Sequence, residues 1–286
     1  MRYDDRMTYR RRKIGDALRH FREERGLTQR AAGRLLDRSQ ASLSAYENGH
    51  RAIRPRDLKH ILDQYGIEDQ LVRQRLLSLA AQGRQDGWWH DFDERLEPGI
   101  VDFASLEADA SRIRIFEPQL VHGLFQTEDY ARAVFRRAGG TVRDTPDIKT
   151  EVGFRLNRQR VHEQTQPPTI SAVFTEAVLR QQIGGIDVMR GQGVRLLEMG
   201  AHAHVEIQIL PFTAGMHPGN DGAFTILSVG TGALLEVVAV DSLTRSWYVD
   251  EPTDVDHYIE TFEQLREIAL SESDSKALIE RIVSES

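Results

Sequence analysis

The chain has 286 residues with a formal net charge of −7 at pH 7, and 28% of the residues are charged. It contains no cysteine, which excludes disulfides, thiolate nucleophiles and cysteine-bound metals. No apolar stretch reaches the roughly 18 residues of a membrane span, and the charged amino terminus lacks the pattern of a signal peptide. We therefore expect a cytoplasmic protein.

The charge changes sign along the chain. Residues 1–84 carry 19 Lys and Arg against 11 Asp and Glu, whereas residues 85–286 carry 18 against 33. An acidic protein binds nucleic acid poorly unless its positive charge is concentrated in one part. The distribution predicts two domains, 1–84 and 85–286, with a hinge at the polar segment 82–86, and it favours a polyanionic partner for the first domain.

Helical periodicity predicts an all-α bundle of five helices over residues 1–84. Gly26 and Gly66 are expected to end the first and fourth helices. The apolar stripes of the first, fourth and fifth helices are Ile14, Ala17, Leu18 and Phe21, then Leu58, Ile61 and Leu62, then Leu71, Leu76 and Leu79.

The most specific motif is TQRAAGRLLDRSQASLSAYENG, residues 28–49. Thr28 and Ser39 are predicted to cap two short helices, and Gly33 permits the close approach of their axes. Asn48 and Gly49 end the second helix. This spacing is that of a helix-turn-helix unit, which lays its second helix in the DNA major groove. The alternative is a small helical bundle whose polar face is merely solvated.

The DNA-facing residues follow from this geometry. Gln29 lies in the first turn of its helix, where an amide can meet a phosphate. Cations after the second helix can reach phosphates beside the groove. The predicted DNA-binding residues are Gln29, Ser39, Gln40, Ala41, Ser42, Ser44, Ala45, Arg51 and Arg54.

The motif resembles the Xre family of lambda-repressor-like helix-turn-helix domains. The resemblance implies that Gln29 contacts a phosphate and that Gln40 and Ala41 touch bases, with Ser44 and Ala45 one turn further along. Asp37 departs from the Gly that is common at the turn, but Asp tolerates the left-handed region better than most residues. One short recognition helix rarely gives enough specificity alone, so we also expect a homodimer on a pseudo-palindromic operator.

Residues 85–286 are predicted to form an α+β domain with a mostly antiparallel sheet and one crossover helix. Period-two patterns predict its strands. The expected strands are 170–174, 205–210, 224–229, 234–240 and 246–249. The expected helices are Ile100–Arg114, 127–138, 147–163, 188–200, 255–269 and 273–284.

Four segments of this second domain resemble the long C-terminal domain of actinobacterial Xre-type regulators. They are FASLEADASRIRIFEPQLVHGLFQTEDYARAVFRRAG, FRLNRQRVH, FTEAVLRQQIGG and IQILPFTAGMHPGNDGAFTIL. Such domains are described as antitoxin-like and are encoded beside small proteins. The resemblance therefore implies a small neighbouring-encoded partner protein, but it assigns no chemistry to the domain.

A small-molecule site is the other hypothesis for the second domain, because pockets combine aromatic walls with a few polar groups. The candidate ligand-binding or partner-binding residues are Phe116, Glu117, His122, Gln126, Tyr130, His217 and Asn220. The same residues also have a structural interpretation. Glu117 can cap a helix, Gln126 can satisfy loop backbone, and Tyr130 can lie in the core.

Catalytic and metal sites are not expected. His202, His204, Glu206 and His217 superficially resemble a cupin, with both histidines on one face of a strand, but the Glu spacing is too short and the glycine framework is absent. Ala138-Gly139 resembles the scissile pair of self-cleaving repressors. However, neither Lys149 nor Lys276 lies on a predicted strand that could form the Ser-Lys dyad.

The sequence thus predicts a DNA-binding transcriptional regulator without catalytic residues, cofactor or metal. The second domain is expected to dimerise, to sense a small-molecule effector or to dock a small partner protein. The alternatives are an antitoxin-like protein whose main role is to sequester that partner, and a ligand-sensing cupin-like or self-cleaving repressor.

Overall fold

A computed structural model describes residues 8–82, 87–92, 95–96, 98–137, 146–229, 235–241 and 246–285. The chain divides into two compact units, Met1–Ser105 and Leu106–Ser286. The predicted boundary at residues 84 and 85 lies inside the first unit, and most of the predicted hinge, residues 83–86, lies outside the described residues. Among the described residues, no helix is long and apolar enough to cross a membrane.

The first unit begins with the helices that the periodicity predicted. They are α1 (Tyr9–Glu24), α2 (Gln29–Leu35), α3 (Gln40–Glu47), α4 (Pro55–Gln64) and α5 (Gln70–Gln82). Leu18, Leu58, Leu62 and Leu79 are buried, so these members of the predicted stripes do form the core. Burial of these side chains supplies most of the driving force for packing the helices. Leu71 is 49% exposed, so its place in the predicted stripe of the fifth helix is wrong.

Hydroxyl side chains begin the first three helices. The Oγ atoms of Thr8, Thr28 and Ser39 accept hydrogen bonds from the backbone N–H groups three residues later, at 3.3, 3.2 and 3.1 Å. These bonds satisfy backbone donors that have no partner inside a helix. Gly26 and Gly66 adopt positive φ after α1 and α4, as predicted for helix ends.

Most of another helix, α6 (Pro98–Ala108), also belongs to the first unit, which ends at Ser105. The buried Asp102 carboxylate accepts a hydrogen bond from the backbone N–H of Tyr9, and Arg10 donates to the Ser105 carbonyl at 3.1 Å. Burial raises the pKa of Asp102 to about 6, against the opposing effects of the Tyr9 N–H and the nearby arginines. The start of α1 is therefore held by residues almost a hundred positions further along the chain.

Gly15 lets α1 approach the end of α3 closely. A Cβ atom at this position would lie 2.7 Å from the backbone oxygens of both Tyr46 and Glu47. Backbone atoms cannot move aside as a flexible side chain can. No local sequence pattern indicates this requirement, because the neighbouring atoms come from another helix.

A buried ion pair joins the same two helices. Arg22 binds Glu47 through two hydrogen bonds, Nε to Oε1 at 2.6 Å and Nη2 to Oε2 at 3.1 Å. Gln29 donates to the same carboxylate at 2.8 Å, so α2 is attached as well. The Glu47 side chain has no exposed surface, and hydrogen bonding to it raises the pKa of Arg22.

The second unit contains the remaining elements. Its strands are β1 (Ala110–Glu117), β2 (Thr169–Thr175), β3 (Val205–Leu210), β4 (Phe224–Val229), β5 (Leu235–Asp241) and β6 (Ser246–Val249). Its helices are α7 (Glu128–Arg137), α8 (Pro146–Arg158), α9 (Glu176–Arg180), α10 (Ile186–Met199), α11 (Pro252–Ile268) and α12 (Glu272–Glu285). The strands predicted from period-two patterns are confirmed, whereas α9 was not predicted.

Within the described residues the strands form one sheet in the order β3-β2-β1-β4-β5-β6. β1 pairs with β2, and β2 with β3, in parallel, while the pairs β1–β4, β4–β5 and β5–β6 are antiparallel. The sheet is therefore mixed, and the prediction of a mostly antiparallel sheet is wrong. The reason is that helices connect β1 to β2 and β2 to β3, and such crossovers return the chain in the same direction.

The predicted helix Ile100–Arg114 is also wrong in its second half. α6 ends at Ala108, and the next residues form β1. β1 is paired on both sides, and Ile113 and Ile115 are completely buried. Pairing in the centre of a sheet overrides the helical spacing that Ile113 shares with the preceding apolar residues.

One face of the sheet packs against α11. Phe116, Phe224, Ile226 and Val238 from the strands form a core with Phe262 and its neighbours. The β3 edge is covered by the chain around α12, since Leu270 N–H donates to the Ile209 carbonyl and Ser275 Oγ accepts from Ile209 N–H, both at 2.9 Å. The backbone groups of Ile209 are therefore not free to pair with another chain.

We expect Gly15→Ala to destabilise the helices α1 to α3 by about 1–3 kcal/mol, because its Cβ would overlap two backbone oxygens. Gly191→Ala in α10 is the control, since no atom lies within 4 Å of its Cβ position. There the better helix propensity of Ala should stabilise by about 0.5–1 kcal/mol. Hydrogen exchange of peptides from each helix measures both effects, and equal signs for the two variants would contradict the packing argument.

We expect Arg22→Ala to cost about 3–5 kcal/mol of local stability, because it leaves the Glu47 carboxylate buried without a cation. Replacing both partners, Arg22→Met with Glu47→Leu, should recover most of the loss. Arg30→Ala, at an exposed position of α2, should change the stability by less than about 0.5 kcal/mol. The same exchange measurement applies, and a loss no larger than that of Arg30→Ala would exclude a structural role for the pair.

Candidate functional site

The predicted recognition helix α3 has distinct inner and outer faces. Leu43 and Tyr46 are buried, whereas Gln40 and Ala41 are exposed at its first turn. Ser44 and Ala45 are half-buried one turn further along. The helix thus presents its first residues outward, which is where a helix-turn-helix protein contacts base edges.

The serines of α3 have partners inside the protein. Ser39 Oγ caps the helix and donates to Ser42 Oγ at 3.1 Å, and Ser44 Oγ accepts from the Asn48 amide at 3.1 Å. Among the described residues, no side chain binds the Gln40 amide. Gln40 is therefore the polar group of this face that is most available to a base.

Gln29 is held less freely than predicted. Its amide nitrogen donates to Glu47 Oε2 at 2.8 Å, which orients the side chain toward the buried ion pair. An amide nitrogen carries two hydrogens, so the second remains for a phosphate oxygen. The predicted phosphate contact is compatible with this geometry and remains a prediction.

The turn between α2 and α3 is tight. Asp37 adopts φ +52°, and it is the one non-glycine residue with positive φ in the described part of the chain. A Cβ at Gly33 would lie 2.7 Å from the Arg38 carbonyl oxygen. Both predictions about this turn are confirmed. Gly33 has no side chain where the backbone approaches closely, and Asp37 adopts the left-handed conformation that the turn requires.

Exposed arginines precede and follow α3 in the chain. The Arg51 guanidinium lies 5.7 Å from the centre of the Tyr46 ring, a distance typical of a cation–π contact. Arg54 is exposed just before α4. Arg30 and Arg34 are exposed on α2 and were not predicted as contacts, although their position in the motif was a usable signal.

The candidate ligand residues of the second unit fall into two groups. Phe116 lies in the core against α11, with the His217 ring 5.9 Å away and Asn220 exposed in the same loop. Glu117 is the next residue of β1 and points to the opposite face, because side chains alternate along a strand. The predicted residues therefore do not form one site.

The second group consists of Glu117, His122, Gln126 and Tyr130. The last three of these bind the backbone of the loop after β1. Tyr130 Oη accepts from the backbone N–H of Val121 at 3.1 Å, and the Gln126 amide donates to the carbonyl of Val121 at 2.6 Å. His122 Nδ1 accepts from Leu124 N–H at 3.4 Å. All three side chains are buried, so the structural interpretation of Gln126 and Tyr130 describes their contacts.

Charged side chains cluster beside these residues. Arg158 binds Glu107 through two hydrogen bonds of 2.8 Å, and Arg155 donates to Gln126 Oε1 at 3.0 Å. Burial, then the charge of Asp241, raises the pKa of Glu117 to about 8, against the effect of both arginines. Burial also lowers the pKa of Arg155 to about 10 and that of His122 well below its usual value.

The histidines differ from the cupin-like arrangement. His202 and His204 lie in the turn before β3 rather than on a strand, and His204 Nε2 is 3.2 Å from His162 Nδ1. Glu206 instead binds Ser171 and Arg266. No group of three His, Asp or Glu side chains is placed to hold a metal ion in the residues that the structure describes.

The self-cleavage hypothesis gains no geometric support. Ala138-Gly139 lies outside the described residues. Lys149 and Lys276 are on the helices α8 and α12, not on a strand.

Two family models match the chain. Residues 13–76 match a helix-turn-helix domain, and residues 100–281 match the family described as domain of unknown function (DUF5753). The first match runs from within α1 to the middle of α5, and the second extends from α6 into α12. Neither the search of curated proteins nor the search of solved structures found a match. The match to DUF5753 spans well over half of the chain. The chain therefore belongs to the DUF5753 family, and a helix-turn-helix domain precedes the DUF5753 region.

Proposed function

We propose that this protein is a sequence-specific, DNA-binding transcriptional regulator of the Xre, lambda-repressor-like type. The observation that carries the proposal is the helix-turn-helix unit itself, in which Gln40 and Ala41 are exposed at the first turn of α3. Eight residues of helix are about 12 Å long, comparable with the width of the major groove. The surplus of Lys and Arg in residues 1–84 favours the phosphate backbone as a partner.

The operator is proposed to be read by a homodimer. A helix as short as α3 contacts few base pairs, and two half-sites about one helical turn apart multiply the specificity. The acidic second unit is proposed to provide the pairing surface, a sensor for a small-molecule effector or a dock for a small partner protein. Its negative charge does not favour direct contact with DNA.

A sensing role has one specific observation in its favour. Glu117 lies among Arg155, Arg158 and Asp241, and its raised pKa keeps much of its carboxyl group uncharged at pH 7. A ligand that interacts with these charged groups in the folded unit would raise its melting temperature. Co-purification of a small neighbouring-encoded protein, without any such shift, would instead favour the antitoxin-like alternative.

We expect Gln40→Ala to reduce discrimination between a selected genomic fragment and random duplex by about 1–3 kcal/mol, because a bidentate amide–base contact is lost. The ratio of the two dissociation constants measures it. Gln182→Ala, at an exposed position of the second unit, is the control and should leave that ratio unchanged. Equal weakening on both duplexes would reject a base contact by Gln40, and no preference of the wild-type protein for any duplex would reject the proposed function.

We expect Arg51→Ala to weaken binding to all duplexes alike, because a phosphate contact carries no sequence information. The slope of log affinity against log salt should become shallower by no more than about 0.9, the value for one phosphate. Arg136→Ala on α7 is a control at an exposed arginine. An unchanged slope would exclude a phosphate contact at Arg51.

A further inference from the structure

A small cavity in the first unit lies where the start of α1 meets the chain that follows α3. It is lined by three arginines, Arg10, Arg11 and Arg51, and by Tyr46. Its remaining wall is apolar and includes Ile14 and Leu79. We call it the arginine notch.

The notch has an unbalanced charge. Three arginines line it, and its lining includes no acidic side chain among the described residues. Arg10 is anchored by a hydrogen bond to the Ser105 carbonyl. Arg11 acts on the Asp102 carboxylate electrostatically, but within the same described part of the chain no ion pair joins Arg11 or Arg51 to a carboxylate, so both guanidinium groups can bind an external anion.

Some exposed arginines elsewhere are paired with a carboxylate, whereas others, such as Arg30, Arg34 and Arg136, have no such partner among the described residues. Arg38 binds Asp57 at 2.8 Å and Arg180 binds Glu176 at 2.7 Å. Residues 1–84 hold 19 Lys and Arg against 11 Asp and Glu, so several cations of this part of the chain have no carboxylate to pair with. What distinguishes Arg11 and Arg51 is that they line the same cavity, where two guanidinium groups can bind one anion together.

Arg51 is also held in position. Its guanidinium lies over the buried Tyr46 ring, and its backbone N–H donates to the Ala45 carbonyl at 3.2 Å. A stacked guanidinium loses less freedom on binding than a free one. Phosphate offers oxygens in several directions and can accept forked hydrogen bonds from two guanidinium groups at once.

We propose that the arginine notch binds one phosphate group, shared by Arg11 and Arg51. Arg11 lies on α1, outside the helix-turn-helix motif, and adds a contact that the motif does not contain. Tyr46 and Arg51 are near the last turn of α3, roughly 10 Å along the axis from Gln40. A phosphate beside the groove that α3 enters is therefore the favoured source, and this part of the inference rests on the proposed function.

The test is a double-variant cycle with Arg11→Gln, Arg51→Gln and both together, measured on random duplex over a salt series. Two arginines that share one phosphate should give losses that are less than multiplicative. The double variant should lose about 0.9 of the salt slope, not about twice that amount. Arg136→Gln is the matched control, and circular dichroism with melting curves checks that each variant folds.

A second measurement uses inorganic phosphate alone, titrated calorimetrically into the full chain without DNA. If the double variant binds duplex normally but loses a saturable phosphate signal, the notch is a phosphate site whose source is a free phosphorylated molecule. Fully multiplicative losses with a doubled change in slope would overturn the shared site, because each arginine would then have its own phosphate. Unchanged binding of both duplex and phosphate would overturn it too.

The two proposals can fail separately. If the wild-type chain binds no duplex, the proposed function fails, while the phosphate titration still decides the notch. If the wild type selects a genomic fragment but the double variant is unaffected in both assays, the notch fails and the regulator proposal stands. Arg11→Lys keeps the positive charge but lacks the paired N–H donors of the guanidinium group. Compared with Arg11→Gln, it should therefore recover the salt slope more fully than the affinity.

Discussion

The buried ion pair between Arg22 and Glu47 is the interaction on which the candidate DNA interface depends. Burying a carboxylate is costly unless a cation with matching hydrogen bonds accompanies it, and here both partners come from helices that must therefore stay together. Gln29 binds the same carboxylate, and Arg19 donates to Asn48 at the end of α3. The orientation of α3 is thus set by polar contacts to α1 and α2 in addition to its apolar face.

This arrangement explains how a helix of eight residues can present a defined surface. Isolated helices of that length are marginal in water, so packing must supply the stability. Leu43 and Tyr46 fill the core, Gly15 allows α1 to approach, and Ser39 satisfies the free backbone donors. Gln40 is left at the exposed first turn with its amide available. The packing of the inner face of α3 therefore fixes the position of the short side chains on its outer face.

In the second unit the central position of β1 organises the structure. Parallel pairing with β2 and antiparallel pairing with β4 bury its apolar residues and place Glu117 at the end of the strand, near the arginines of α8. The sheet separates two environments, an apolar core against α11 and a charged cluster on the other face. A carboxyl group with a pKa raised to about 8 is the chemically unusual feature of that cluster.

Features that depend on neighbouring residues could be predicted from the sequence: the caps at Thr28 and Ser39, the left-handed turn at Asp37, and the strands with period-two patterns. Tertiary structure alone decided that residues 110–117 form a central strand, because its pairing partners are far away in the chain. It also decided that Arg22 and Glu47 pair, that Gln126 and Tyr130 serve the loop backbone, and that Arg11 and Arg51 line one notch. Local preferences act over a few residues, whereas these contacts join side chains whose proximity no short segment encodes.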